Sequence, residues 1–263
     1  MNVIGIIPAR MGSSRFPGKP LALIHGIPMI GHVYARSKMC PMLYEVYVAT
    51  CDQEIVNYVS SINGKAILTS PDHERASDRT AEAMVKIEEE SGEKIDIVVM
   101  IQGDEPMLYP DMISEAVEPL LHDTTICVSN LMSTISTREE HNDPNEVKVV
   151  VDLNNFALYF SREPIPSWKK ASSPVTMLKQ VCIIPFTRNF LLQFNALHQT
   201  PLEIAESVDM LRVLESGYKV KMISTSHETY SVDTDDDLKK VESAMVNDKL
   251  MEEYKNILLE GTT

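Results

Sequence analysis

Short apolar runs alternating with helix-period segments set the terms for this chain. "VIGIIP" (Val3 to Pro8), "EVYVAT", "AIL" and "IDIVVMIQ" are nearly unbroken apolar stretches of strand length. Between and after them, "PMIGHVYARSKM", "DQEIVNYVSSI", "SDRTAEAMVKIEEE" and "PDMISEAVEPLL" carry apolar residues at helical spacing. Continuous β-branched strands separated by helices suit a parallel sheet buried on both faces. The expected fold is α/β, a mostly parallel sheet covered by helices on both faces. "TTICVSNL" continues the rhythm as one more strand.

The rhythm breaks at "NEVKVVVDLNNFALYFS". Two strand-like runs flank "DLNN", whose Asn154 and Asn155 tolerate the positive φ of a tight turn, so this segment reads as a hairpin. "REPIPSWKKASSPV" follows as a proline-rich loop, then a strand at "KQVCIIPF". Helices across "NFLLQFNAL" and "LEIAESVDMLRVLES", a strand at "KVKMIS" and a last helix at "DDDLKKVESAMV" complete the pattern. With no repeat and no clear linker, residues 1–263 read as one domain with an antiparallel insertion near 146–186.

Charge narrows the partners. The chain carries 24 Lys and Arg against 38 Asp and Glu, a net charge of -14. Nucleic acid and anionic membranes reward a broad basic surface, so neither is expected as the main partner. Four scattered cysteines, Cys40, Cys51, Cys127 and Cys182, form no CxxC pair and read as reduced, mostly buried thiols. "VIGII" is too short for a signal peptide, no apolar run approaches a membrane span, and the cytoplasm is the expected location.

Against this acidic background, "PARMGSSRFPGKPL" (Pro8 to Leu21) gathers Arg10, Arg15 and Lys19 directly after the first strand. Ligands of open α/β sheets bind outside the carboxyl ends of the strands, where this loop begins. Gly12 and Gly18 permit close backbone approach, Ser13 and Ser14 add hydroxyls, and exposed N–H groups can cradle phosphate oxygens. Arginine supplies planar forks and lysine a mobile point charge. The spacing is neither GxGxxG nor GxxxxGK[ST], so the dinucleotide and P-loop readings both lose support. Composition alone leaves open a merely solvated basic loop.

Two acidic motifs complement it. "VVMIQGDEP" ends a buried strand and puts Asp104 on the same edge as the basic loop. Mg²⁺ takes oxygen ligands and usually one or two protein carboxylates together with substrate phosphates, which suits Asp104; capping of the next helix is the alternative. In "VDTDDDLKK", Thr234 can act as an N-cap, with Asp235, Asp236 and Asp237 in the first turn beside the helix dipole. Asp233 is left over and becomes the second candidate metal ligand.

The loop resembles the signature of sugar cytidylyltransferases, A-R-x-x-S-x-R-x-P-x-K, matched by Ala9, Arg10, Ser13, Arg15, Pro17 and Lys19. "HGIPMIGHVYARS", "QGDEPM", "DPNEVKVVVD", "FALYFSREPIP", "PLEIAE", "LRVLESGYKV" and "VDTDDDLKKVE" extend the resemblance along nearly the whole chain. In order, they are similar to the 3-deoxy-manno-octulosonate cytidylyltransferase (CMP-Kdo synthetase) family. The resemblance implies a nucleotide-diphospho-sugar transferase-like fold. It also implies transfer of CMP from CTP to the anomeric hydroxyl of an acidic sugar, with release of pyrophosphate.

Site roles follow from the same resemblance. Pro8, Ala9, Arg10, Ser13, Arg15, Lys19, Ser77 and Gln102 would bind the nucleotide. Asp104 and Asp233 would hold Mg²⁺, with Arg10, Lys19 and these two aspartates forming the catalytic set. Arg79, Gln102, Arg162, Glu203 and Glu206 would bind the sugar; Arg79 and the glutamates also fit exposed helix positions. A homodimer with the hairpin region at its interface is implied too.

The chain departs from the family in two places. An H-x-G-x-Y pattern is replaced by Gln180, Cys182 and Ile184, and a Gly-Thr pair by Ala76 and Ser77. A site built to hydrogen-bond a hydroxyl discriminates strongly, so these changes bear on the acceptor. Kdo or a close relative is the leading acceptor, with a nonulosonic acid as the alternative. A metal-dependent glycosyltransferase with "DTD" at 233–235 is a more distant one, and a non-catalytic nucleotide-binding protein another.

Overall fold

A computed structural model describes residues 1–12, 16–168 and 175–260. The chain folds into two compact units, one from Met1–Ser114 with Thr229–Thr263, the other from Glu115–Glu228.

In the first unit, Val3–Ala9, Glu45–Thr50, Lys65–Leu68 and Ile97–Ile101 form parallel ladders. Their order is Ile97–Ile101, Val3–Ala9, Glu45–Thr50, Lys65–Leu68. All five residues of Ile97–Ile101 and the first five of Val3–Ala9 are buried. Successive side chains of a strand point to opposite faces, so both faces of this sheet are covered. Burying each of Ile4, Ile6 and Ile7 contributes about 1.5–3 kcal/mol.

Helices Met29–Lys38, Gln53–Ser61 and Ala76–Ser91 connect these strands as the alternation predicts. The last of them ends on Gly92, whose φ of 70° supplies the left-handed cap that side chains disfavour. Helix Met29–Lys38 is buried almost throughout and carries a polar chain in its core. Arg36 Nε donates to the Tyr254 hydroxyl at 3.1 Å and pairs with Asp248 at 2.7 Å. The Tyr254 hydroxyl lies 2.8 Å from His32 Nδ1, while His32 Nε2 lies 2.9 Å from the Ile24 carbonyl. Burial pushes the His32 pKa down to about 4, so the ring is neutral and donates from Nε2. Tyr254 comes from a terminal helix, Lys249–Glu260, that the sequence reading does not anticipate.

The second unit is built on a five-stranded mixed sheet, in the order Lys221–Ser224, Ser129–Thr134, Leu178–Val181, Lys148–Val151, Ala157–Ser161. The expected hairpin is there: Lys148–Val151 pairs antiparallel with Ala157–Ser161, with an irregularity after Val150. Its turn uses the Asp152 carboxylate to accept from the N–H groups of Asn154 and Phe156, both at 2.8 Å, and Asn155 takes φ 58°. "KQVCIIPF", read as one strand, is two: Leu178–Val181 and Ile183–Thr187. "LEIAESVDMLRVLES" likewise forms two helices, Pro201–Glu206 and Met210–Glu215, broken where Ser207 takes φ 54°. The thiols differ from expectation too: Cys40 is buried, but Cys51, Cys127 and Cys182, each outside a strand, are half-buried.

Among the described residues, no helix is long and apolar enough to cross a membrane.

Candidate active site

Lys19 begins a short 3₁₀ turn whose cap, Gly18, has φ 76° and donates its N–H to the Met11 carbonyl at 3.0 Å. That positive φ is strained for any residue with a Cβ, which explains the glycine in the basic loop. Met11 N–H is in turn held by the Asp52 carboxylate at 2.7 Å, from the end of the neighbouring strand. The loop is thereby tied to the sheet at a residue the sequence reading passes over, since an aspartate before a helix looks like a cap.

The Lys19 ammonium reaches three acceptors. Asp104 Oδ2 lies at 2.9 Å, the Val232 carbonyl at 2.8 Å and Asp233 Oδ1 at 3.3 Å. Val232 N–H donates to the Asp104 carbonyl at 2.9 Å, stitching the two acidic segments together. Asp104 therefore faces Lys19, and the helix-capping alternative falls away. Lys19 is largely buried, which alone would lower its pKa, but the two aspartates outweigh that and raise it. Gly103 lets this strand end sit close to the first strand: a Cβ there would meet Ile30 at 3.2 Å and the Pro8 carbonyl at 3.4 Å.

A cavity of about 280 Å³ opens beside this cluster, lined by Pro8, Ala9, Arg10, Lys19, Gln102 and Asp104 among others. A second, of about 210 Å³, shares Pro8, Ala9, Arg10 and Ala76 with it and extends to His73 and Arg79. Arg10 is exposed at their common wall. Ser13 and Arg15 lie outside the described residues.

The acidic motif at the last strand behaves as expected beyond Asp233. The Thr234 hydroxyl accepts from Asp237 N–H, and Asp237 Oδ2 returns a bond to the Thr234 N–H at 3.1 Å, a reciprocal cap. Asp236 and Asp237 pair with Lys239 and Lys240 on the surface. Of "DTD", only Asp233 bonds Lys19.

The cytidylyltransferase family model matches residues 4–240. A 3-deoxy-manno-octulosonate cytidylyltransferase from Geotalea uraniireducens is 42% identical over 251 residues, 92% of this chain and 98% of the relative. Its namesake from Fusobacterium nucleatum is 39% identical over 92% of this chain and 96% of its own. The solved structure of a CMP:2-keto-3-deoxy-manno-octonic acid synthetase complexed with CTP superposes with a TM-score of 0.85 at 39% identity, covering 93% of this chain and 98% of that one. This chain belongs to the 3-deoxy-manno-octulosonate cytidylyltransferase family. It is a nucleotidyltransferase. A cytidylyltransferase from Leptospira borgpetersenii, at 18% identity and a TM-score of 0.64, shares the fold.

As a member of that family, the chain places its expected site residues unevenly. Arg79, implied at the sugar, is 3% exposed and lines the smaller cavity with Pro8 and Ala9. Its Nη1 donates to Thr69 Oγ1 and to the Ser70 carbonyl, while its buried Nη2 has no hydrogen-bond partner among the described residues. Ser77, implied at the nucleotide, is fully buried. Ala76 and Arg79, three positions apart on one helix face, take the cavity wall instead. His73, paired with Glu82, joins that wall. Hydrogen bonds from Lys86, the Ser70 N–H and His73 outweigh burial and hold the Glu82 carboxyl at about 2.

The second unit holds Arg162, Glu203 and Glu206. Arg162 spends three of its five N–H donors on the Glu206, Pro144 and Ser207 carbonyls, at 2.7, 2.8 and 3.4 Å. Its own carbonyl accepts from the buried Lys148 ammonium at 2.5 Å, which also bonds the Asp143 and Glu146 carbonyls. Glu206 accepts from the Ser161 hydroxyl and the Arg162 N–H, both at 2.8 Å. Glu203 corrects its expected role: it is fully buried, with its carboxylate gripped by Arg212 at 2.7 and 2.5 Å and by the Thr200 N–H at 3.2 Å. Fully buried, that carboxylate presents no surface to a sugar. At the family's departures, Gln180 Nε2 donates to the buried Asn130 at 2.5 Å, and Ile184 is a core residue.

Among the described residues, no three His, Cys, Asp or Glu side chains cluster around a metal position. Asp104 and Asp233 nonetheless flank one ammonium, an all-oxygen pair around a bound positive charge. Two carboxylates plus substrate phosphates are the set Mg²⁺ accepts, so these residues fit it.

Proposed function

We propose that this nucleotidyltransferase couples CTP to Kdo, producing CMP-Kdo and pyrophosphate. The convergence of Lys19 on Asp104 and Asp233 beside a cavity walled by Pro8, Ala9 and Arg10 carries the reading. The relatives' names and the CTP-bound neighbour support both substrates.

In this reading the triphosphate lies along the larger cavity and cytosine enters the smaller one. An acidic sugar must approach an anionic nucleotide; two unit charges 5 Å apart repel by roughly 3 kcal/mol at an effective dielectric of about 20. Arg10 and Lys19 would offset that repulsion and stabilise the charge that builds on the departing pyrophosphate. Asp104 and Asp233 would hold Mg²⁺, which when bound supplies further positive charge and acidifies a nearby hydroxyl. Gln102, beside Asp104 at the cavity wall, would orient the α-phosphate end, and Arg162 with Glu206 would receive the acceptor. Because one family model spans residues 4–240, we treat the two units as a single cytidylyltransferase domain, acting in the cytoplasm as a homodimer.

Incubation with CTP, Mg²⁺ and a panel of ulosonic and nonulosonic acids, read by pyrophosphate release, tests the proposal. Kdo is expected to give the highest kcat/KM. Preference for a nonulosonic acid would replace the acceptor, and no release with any acid would remove the activity.

A further inference from the structure

Lys19 poses a problem for its own expected role. An ammonium has three N–H donors, and here Asp104, Asp233 and the Val232 carbonyl accept all three, at 2.9, 3.3 and 2.8 Å. A lysine so engaged cannot also clamp a phosphate. Nor can the two aspartates present an open pair to a cation while the ammonium sits against both.

The backbone around Lys19 is pinned. Leu21 N–H bonds the Gly18 carbonyl at 2.9 Å, and Ala22 N–H bonds the Lys19 carbonyl at 3.1 Å. The four-carbon stem is the part free to swing. Both aspartates are about one-fifth exposed at their side chains, and Lys19 and Asp104 line the larger cavity. Withdrawing the ammonium removes one positive charge from between the two carboxylates.

We propose that Lys19 is a displaceable occupant of the cation position, one that a triphosphate draws away. Exchange of this side chain then adds positive coupling between nucleotide and divalent metal beyond that of direct phosphate–metal bonds. The inference rests on the nucleotide reading above and adds to it an order in the site: phosphate takes Lys19, and the carboxylates that Lys19 leaves take the metal. By linkage the coupling is reciprocal, so metal must tighten nucleotide by the same factor.

Mn²⁺ serves as the probe, with free aqua-Mn²⁺ followed by electron paramagnetic resonance and no sugar present. Wild type, Lys19→Met and Lys19→Gln are titrated without nucleotide, then with saturating CTP, against a protein-free blank that accounts for Mn²⁺ held by CTP itself. Without nucleotide, both variants are expected to bind Mn²⁺ about tenfold or more tightly than wild type, and CTP to tighten wild type by about that factor more than it tightens the variants, which keep only the direct bonds between phosphate and metal. Equal Mn²⁺ affinity in wild type and two variants with native melting temperatures overturns the proposal. So does persistence of the gain in Lys19→Met/Asp104→Asn, which would locate the ion elsewhere. Wild type alone provides a reading that needs no variant: no tightening by bound CTP overturns the coupling. Failure of CTP to bind wild type in calorimetry would instead remove the nucleotide reading, leaving the nucleotide-free difference between wild type and variants intact.

Discussion

Lys19 and Asp104 are 85 residues apart in the chain and 2.9 Å apart in space. Asp233, still more distant in sequence, meets the same ammonium. A cation and two acids drawn from three elements are held by side-chain bonds and by one backbone stitch between Val232 and Asp104. Proteins keep such pairs on partly exposed surfaces at little net gain in stability, because desolvation and ordering offset the attraction. Their convergence at a cavity is better explained by chemistry than by stability.

Asp104→Ala is therefore expected to abolish pyrophosphate release while leaving the melting temperature within a few degrees of wild type. The side chain is 22% exposed and its loss opens no core cavity. Initial rates in the CTP and acid assay, paired with a thermal melt, check both halves. Near-normal turnover would remove Asp104 from the metal site.

Much of this was legible in the sequence, and the reasons differ by residue. Continuous apolar runs gave the parallel strands because both sheet faces are buried. Thr234 and its three aspartates were legible because capping is local chemistry. Arg79 entered the site only through the family resemblance, because the wall it joins is set by which helix face meets the first strand, and a single charge in a helix carries no mark of that. Glu203 was hidden for a similar reason: its partner Arg212 lies one helix later, beyond a break at Ser207 that no glycine or proline announces. The terminal helix went unread although Met251, Tyr254 and Leu258 fall on one buried face. Its polar residues dilute the pattern, and Tyr254 acts through its hydroxyl as much as its ring.

Arg79 offers a test of which substrate it serves. Its guanidinium lines the cavity with Pro8 and Ala9, and one buried nitrogen has no partner among the described residues. A charged hydrogen bond lost from a buried site costs about 1.5–3 kcal/mol, or roughly 10- to 100-fold. Arg79→Met is expected to raise KM for CTP by that factor and to leave KM for the acid within about twofold. Steady-state kinetics with each substrate varied in turn reads the split. A selective rise for the acid would return Arg79 to the sugar.

For Glu203 the expectation runs the other way. The Glu203–Arg212 pair is buried, and the guanidinium also lies 4.6 Å from the centre of the Phe194 ring. Removing one partner strands a buried charge, which costs about 3–5 kcal/mol. Glu203→Gln should lower the urea midpoint substantially while kcat/KM per folded molecule stays near wild type at low temperature. A large KM effect for the acid without loss of stability would restore Glu203 to the sugar pocket.

His32 predicts how stability responds to acid. Its ring is neutral in the folded state with a pKa of about 4, chiefly because burial disfavours the charged form and secondarily because Arg36 is near. In the unfolded chain the same ring titrates at its ordinary value of about 6.5. Between those two values the unfolded chain binds a proton that the folded one refuses, so stability falls as pH drops through this window. The loss from this group alone is about 2 kcal/mol between pH 7 and pH 5, and about 3 kcal/mol once pH is well below 4. Urea melts at pH 7, 6 and 5 measure the slope. His32→Gln should flatten it over the same range, whatever the variant's stability at pH 7, because an amide does not titrate. An unchanged slope in that variant would mean that His32 keeps its ordinary pKa in the fold, contrary to a neutral ring that donates from Nε2 to the Ile24 carbonyl and accepts at Nδ1.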